Sequence, residues 1–381
     1  MSIDALARNA VDVLPVGGLE AKLKLGRPLR VKLGIDVTSP DLHVGRGIPL
    51  QRMRAFQDAG HTGVFIVGDY TTRIGDPSGR SIERPILSPE EIDANAKTYV
   101  DQAFTIVDPD KTEVRFNSEW LAGLDFADVI RLTRTTTVAQ ILEREDFSKR
   151  LAAREPVSVS ELLYPLMQAY DSVAIEADVE LGGTDQLYNL LAGRMVMEAY
   201  GLEPQVVLTT PLLLSWDGDK MSSSVGNNIP LTAAPEEQFG RTMRIPDSQL
   251  PEWYRLVLER AVPGGEPMDA KLALARAIVA RSHGEEAAAR AEEHFTRVVR
   301  EGQAPETVPD ALLAPGDPVH LPAVVADAFG VSTSEARRLI GQGGVKVDGT
   351  VVEELDVPRE QLVGATLQAG KRRFARLREP A

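Results

Sequence analysis

Short apolar runs alternate with segments of helical period along the first half of the chain. Leu29–Ile35 reads as a strand, and Ile48–Asp58 as an amphipathic helix. Thr62–Gly68 is a continuous apolar run ending in Gly-Asp, the pattern of a parallel strand buried on both faces. Ser88-Pro89-Glu90-Glu91 opens a helix expected to run to Val107, with a capping Ser, Pro at the first position and acids in the first turn. Strands are expected at Glu113–Phe116, Val179–Gly183 and Gln205–Leu208, with a helix from about Asp185 to Tyr200 between the last two. Such alternation predicts an α/β, Rossmann-like domain whose mainly parallel sheet is covered on both faces.

Elsewhere the pattern changes. From Trp120 to Pro156 it is helical, as in an insertion within the sheet domain. After Lys220 a helix capped by Asp269 turns Leu272, Ala275, Ile278 and Val279 to one face and stops near Gly284. A second helix turns Ala291, Phe295, Val298 and Val299 inward and ends near Gly302. The stretch to Pro318 is rich in Pro, Ala and Asp and lacks a period, so it reads as a linker. Beyond it, Ser334–Gly341 looks like a capped helix and Gly343–Thr350 like a tight hairpin. The expected organisation is a sheet domain over 1–228 (insertion about 120–156), an α-helical domain over 229–302, a linker over 303–318 and a small α+β domain over 319–381.

Composition narrows the class. At 381 residues, 43% hydrophobic and 26% charged, the chain supports two or three domains with real cores. With no cysteine, a disulfide framework, a thiolate nucleophile and a Cys-ligated zinc are excluded. The five histidines, His43, His61, His283, His294 and His320, are not paired at metal-ligand spacing, so no metal site is expected. The N-terminal stretch carries Asp4, Arg8 and Asp12 and resembles no signal peptide, and no run reaches membrane-spanning length. A cytoplasmic protein without membrane partners is expected. A formal charge of −14 argues against wide non-specific gripping of nucleic acid but leaves room for a local basic patch. Lys371, Arg372, Arg373, Arg376 and Arg378 cluster near the end, either as an RNA contact or as a solvated basic strand.

Two runs carry phosphate chemistry. Asp36, Thr38 and His43 fall in the turn leaving the first strand, at the carboxyl edge of the sheet where α/β proteins bind nucleotides. Gly45 permits close backbone approach, Arg46 adds a fixed positive charge, and the following helix N-terminus is a natural phosphate seat. The alternative is an ordinary strand-to-helix turn with a surface His. Lys220-Met221-Ser222-Ser223-Ser224 is a loop with one cation and three hydroxyls, suited to following a polyphosphate. Between these runs Tyr164, Gln168 and Asp171, spaced four and three apart, present a phenol, an amide and a carboxylate on one helix face. Asp185 is placed either to pair with a ribose or to cap a helix.

In this order the runs resemble the paired ATP signatures of class I aminoacyl-tRNA synthetases. Leu33–Gly45 with Phe56–His61, Ile74–Arg80 with Glu83-Arg84, Tyr164–Asp171 and Gly182–Gln186 follow the order of blocks in bacterial tyrosyl-tRNA synthetases, and the tail resembles that family's ribosomal-protein-like RNA-binding module. The resemblance covers nearly the whole chain. It implies a tyrosine–tRNA ligase that forms tyrosyl-adenylate from L-tyrosine and ATP, with Mg²⁺ carried on the ATP phosphates, and then charges tRNA(Tyr). It implies a homodimer formed through the 120–156 insertion, a stretch that the sequence alone could equally make a lid.

By the same resemblance Tyr164, Gln168 and Asp76 hold the substrate amino group, Asp171 accepts from its phenol, and Gln186 lies near its carboxyl. Lys32, Gly34 and Asp36 complete the amino-acid site; Gly45, Gly183, Asp185 and Met221 meet the nucleotide. Thr38, His43, Arg46, Arg80, Arg84, Lys220 and Ser224 serve the reacting phosphates, and Arg337, Arg338, Lys371, Arg372 and Arg373 meet RNA. Three positions depart from common patterns: Arg46 replaces a second His, Ser223 replaces a Lys, and Lys32 replaces a Tyr near the substrate phenol. Arg46 keeps two alternatives open, a paralogue that adenylates tyrosine with altered or no tRNA charging, and a non-catalytic RNA-binding paralogue.

Overall fold

The computed structural model of the chain describes residues 2–76, 87–223, 225–300, 308–370 and 373–379. Two compact units form, one of Met1–Ala234 with Arg241–Leu274, the other of Pro235–Gly240 with Ala275–Ala381. The first is built on a six-stranded sheet. Its strands are β1 (Asp12–Leu14), β2 (Arg30–Asp36), β3 (Thr62–Gly68), β4 (Thr112–Phe116), β5 (Val179–Gly183) and β6 (Val206–Thr210), in the order β1-β6-β5-β2-β3-β4. All neighbours are parallel except β1, which runs antiparallel to β6. The order reverses between β2 and β5, and at such a switch point the loops leaving the two strands diverge and open a crevice at their carboxyl ends.

The core explains the placement. Val64, Phe65, Ile66 and Val67 of β3 are buried, as a central parallel strand requires. The helix Gly47–Asp58 covers one face through Leu50, Met53 and Phe56. Phe56 is fully buried, so Phe56→Ala is expected to cost about 3–5 kcal/mol of stability, read as a lower denaturant midpoint at unchanged slope. The helices Val159–Ile175 and Leu187–Ala199 pack together through Leu166, Ala169, Ala192 and Val196, with Leu132 of the insertion against them. Between residues 118 and 152 lie four short helices, Ser118–Leu121, Phe126–Thr133, Val138–Leu142 and Glu145–Ala152.

The second unit contains a five-stranded sheet of β7 (Asp310–Leu312), β9 (Val345–Val347), β10 (Thr350–Val351), β12 (Thr366–Ala369) and β13 (Arg373–Arg378), in the order β10-β9-β12-β13-β7. A separate pair joins β8 (Val319–His320) to β11 (Asp356–Val357). The helices Leu321–Phe329 and Thr333–Gly341 close a core that includes Leu321, Val325, Ile340, Leu367 and Leu377.

Several boundaries differ from the sequence expectation. The stretch expected as a linker contains β7, whose Ala311 is buried beside Leu313; three residues are too few to display strand alternation. The helix expected to start at Asp269 begins at Pro267, which leaves Asp269 in its first turn. The cap expected at Ser334 is Ser332, whose Oγ accepts from the Glu335 amide at 3.1 Å. The helix from Pro89 stops at Ala103, short of Val107. His43 precedes a 3₁₀ turn, Val44–Arg46, and the α-helix starts only at Gly47.

Candidate active site

The crevice between β2 and β5 gathers most of the described candidates. Along β2 the alternation puts Lys32, Gly34 and Asp36 on one face. A Cβ on Gly34 would have a single neighbour, Ile66 Cβ at 3.9 Å, so this glycine leaves open space rather than tight packing. Opposite runs the helix Val159–Ile175, started by a reciprocal cap in which Ser158 Oγ accepts from the Glu161 amide and the Glu161 carboxylate accepts from the Ser158 amide. Its inward face carries Tyr164, Gln168 and Asp171. The Tyr164 hydroxyl donates to Asp36 Oδ2 at 3.0 Å, and Thr71 donates to Asp36 Oδ1 at 2.7 Å.

Asp171 is buried. It accepts from Trp120 Nε1 at 2.8 Å and from Asn117 Nδ2 at 3.4 Å. Burial pushes its carboxyl up to about 7, against the opposing pull of Lys32 and those two donors. A buried carboxylate with lone pairs to spare can accept a further hydroxyl donor. Gln168 and Gln186 are half-buried and tied to one another through Asn189, whose Nδ2 donates to both amide oxygens at 3.1 Å. Gln186 Nε2 donates to Asp76 Oδ2 at 2.6 Å. The Lys32 ammonium sits below this layer, fully buried, bound to Glu180 Oε1 at 2.8 Å, Ser172 Oγ at 2.7 Å and the Gln168 carbonyl at 2.8 Å.

In the turn after β2 His43 is buried, and its Nδ1 has no hydrogen-bond partner among the described residues. Desolvation, then the charges of Arg46 and Lys220, lower its pKa to about 3. The imidazole is therefore neutral at working pH and acts as a single hydrogen-bond donor, not as a cation. A Cβ on Gly45 would lie 3.1 Å from His43 Nδ1, so the ring would have to give by a few tenths of an ångström to admit a side chain. Thr38 is half-buried in the turn after β2, and Arg46 is half-buried at the end of the 3₁₀ turn.

The Lys220 loop approaches from the other side. Lys220 forms a bridge with Leu214, its ammonium pairs with Asp185, and Met221 is buried. Asn227 braces the loop by accepting from the Ser222 amide at 2.8 Å and donating to Asp217 at 2.9 Å. A Cβ on Gly183 would lie 2.6 Å from Asp185 Oδ1 and 2.8 Å from Leu212 Cδ2, so both side-chain ends would have to shift to admit one. Arg80, Arg84 and Ser224, with Lys371 and Arg372 of the tail, lie outside the described residues.

In the second unit Arg337, Arg338 and Arg373 are exposed. Arg338 pairs with Glu335 and donates to Gln342 at 2.9 Å, while Arg373 lies 5.7 Å from the Phe329 ring. Sequence reasoning missed Asn117, Trp120, Thr71, Glu180, Asn189 and Asn227. Only Asn189 left a local signal, three residues after Gln186 and thus one helical turn along the same face.

A switch-point crevice flanked by a buried His turn and a Lys loop is the core of a class I aminoacyl-tRNA synthetase, an enzyme that uses ATP as substrate. The chain belongs to the class I tRNA synthetases of the W and Y group, whose family model matches residues 24–300; an S4 domain model matches 321–357. The tyrosine–tRNA ligase of Moorella thermoacetica is 47% identical over 98% of this chain and 94% of the relative. The tyrosine–tRNA ligase of Thermotoga maritima is 46% identical over 98% and 96%. The fold is also that of the Archaeoglobus fulgidus tyrosyl-tRNA synthetase complexed with L-tyrosine, with TM-score 0.63, 23% identity and coverage of 76% of this chain and 98% of that one. Among the described residues no helix is long and apolar enough to cross a membrane.

Proposed function

We propose that the protein is a tyrosine–tRNA ligase, which joins L-tyrosine to ATP as tyrosyl-adenylate, releases pyrophosphate, and passes the tyrosyl group to the 3′ end of tRNA(Tyr). The observation that carries the tyrosine reading is the buried Asp171, held by Trp120 and Asn117 on the helix face that also offers Tyr164 and Gln168. In this reading Asp171 accepts from the substrate phenol. Tyr164, Gln168 and Asp76 meet its ammonium, and Gln186 lies beside its carboxylate. The substrate carboxylate is itself the nucleophile, attacking the ATP α-phosphorus in line as pyrophosphate leaves, so the protein supplies position and charge. His43, Thr38, Arg46 and Lys220 serve the phosphates, with Gly45 and Met221 beside the nucleotide. Gly183 and Asp185 take the ribose, which requires Lys220 to leave Asp185.

Mg²⁺ enters with the substrate, on the ATP phosphates, bound through substrate more than protein. The second unit, through Arg337, Arg338 and Arg373, is the RNA contact. The bacterial relatives support a reaction in the cytoplasm. We also infer a homodimer through the insertion, where Phe126 is 80% exposed and Ile130, Val138 and Leu151 are exposed with it. A monomer in light scattering at micromolar concentration would overturn that state. The function is tested by tyrosine-dependent ATP–pyrophosphate exchange followed by charging of tRNA(Tyr). Exchange without charging identifies a repurposed adenylating enzyme, and absence of both leaves a binding protein.

A further inference from the structure

Beneath the amino-acid pocket runs a chain of hydrogen bonds whose direction is dictated by its ends. Arg144 is buried, and a guanidinium only donates; its Nη1 reaches Asn189 Oδ1 at 3.0 Å. Asn189 must therefore turn its oxygen to Arg144 and its NH₂ group away. That NH₂ meets Gln168 Oε1 and Gln186 Oε1, both at 3.1 Å. Each glutamine in turn has its own NH₂ on the far side. Gln186 Nε2 gives to the Asp76 carboxylate at 2.6 Å, and Gln168 Nε2 gives to Glu180 Oε1 at 3.2 Å.

The far end on the Gln168 branch is equally one-directional. Glu180 is 1% exposed and faces the Lys32 ammonium at 2.8 Å. It also accepts from Ser172 Oγ at 3.4 Å and from Gln205 Nε2. Three other donors hold this carboxylate, and an ionised carboxylate only accepts, so the end of Gln168 that faces it has to be the NH₂. Arginine at one end and carboxylates at the others thus give the same answer for both glutamines. Flipping either amide sets donor against donor at Asn189 and oxygen against oxygen at the acid.

We propose that Asn189, anchored by Arg144, and Glu180, anchored by Lys32, are positioning residues that lock the Gln168 amide so that its carbonyl oxygen is available to a ligand ammonium. The proposal rests on the tyrosine reading above and deepens it. It assigns Lys32 a role through Gln168 instead of a contact with the phenol. An amide carbonyl has two lone pairs, and Asn189 uses one, so the other remains for the ligand.

The test is binding of tyramine, which carries the phenol and the ammonium, and of p-cresol, which carries the phenol alone, by titration calorimetry. Asn189→Asp keeps the shape and the Arg144 contact but removes the NH₂ that fixes both glutamines. On Coulomb attraction alone an added carboxylate would tighten a cationic ligand. The locked amide predicts the opposite sign: tyramine weakens by about tenfold, while p-cresol is unchanged. The paired substitution Lys32→Met with Glu180→Gln releases the other end without leaving a lone buried charge. It also removes the Lys32 pull on Asp171, so p-cresol is the reference and tyramine is expected to weaken by about tenfold more than p-cresol; this variant decides the matter if the first does not fold. Tyramine bound as tightly or more tightly, or both ligands weakened alike, overturns the proposal. Exchange activity of the wild type is measured on the same preparation. A wild type without tyrosine-dependent exchange overturns the functional reading, and one that exchanges while its variants weaken both ligands alike overturns only the orienting role.

Discussion

Lys220→Ala is expected to slow tyrosine activation by about 10²–10³-fold, the usual cost of removing one donor aimed at developing charge. His43→Ala is expected to act on the same step by the same order. Tyrosine affinity should change little in either, because the proposed reading puts both groups with the phosphates, whereas it puts the phenol and ammonium with Asp76 and the helix Val159–Ile175. Pyrophosphate exchange measured at varied tyrosine and ATP separates the two ends. Unchanged exchange rates in both variants would sink the assignment. Because burial keeps the His43 pKa near 3, the rate should show no limb belonging to an imidazole between pH 6 and 8. A ring titration of His43 above pH 6 by NMR would contradict that account.

The second large effect concerns Asp171. Asp171→Asn is expected to weaken selection of tyrosine over phenylalanine by about ten- to a hundredfold, since a hydrogen bond to a buried charge becomes one to a neutral amide. Its pKa of about 7 gives the wild type a pH signature. As pH falls through 7 the carboxylate gains a proton, and kcat/KM for tyrosine should drop; the variant should lack that limb. Stability moves the other way. The folded pKa lies above the unfolded value, so the native state holds more protons between about pH 4 and 7, and stability falls as pH rises through that window. Above it the ionised group costs on the order of 4 kcal/mol, which makes the variant more stabilising at pH 8 than at pH 4. A gain independent of pH would refute the buried carboxylate as its source.

The sheet was largely legible because its strands are long or fully apolar: Thr62–Gly68 is observed with the bounds read from the run alone. The helix start at Ser88 was also readable, its capping Ser, Pro and first-turn acids being local and stereotyped. Strands such as Asp12–Leu14 and Asp310–Leu312 were not, because three residues carry no period and pairing decides them. The site divides along the same line. Tyr164, Gln168 and Asp171 share a helix face, and spacing reveals that. Asp171's donors Trp120 and Asn117 lie 51 and 54 residues upstream, and Lys32 lies far from Glu180, so only the folded chain brings them together. The burial of His43 was equally invisible, since a turn residue reads as a surface one.

Gly34 has a consequence for ligand size. It sits between Lys32 and Asp36 on β2, and the fold places almost nothing where its side chain would be. A methyl group there would displace no packed neighbour and would be felt only by whatever occupies the cleft. The position is therefore an adjustable wall. In the proposed reading this residue would bound the space left for the substrate ring, at little cost to the packing of β2 among the described residues.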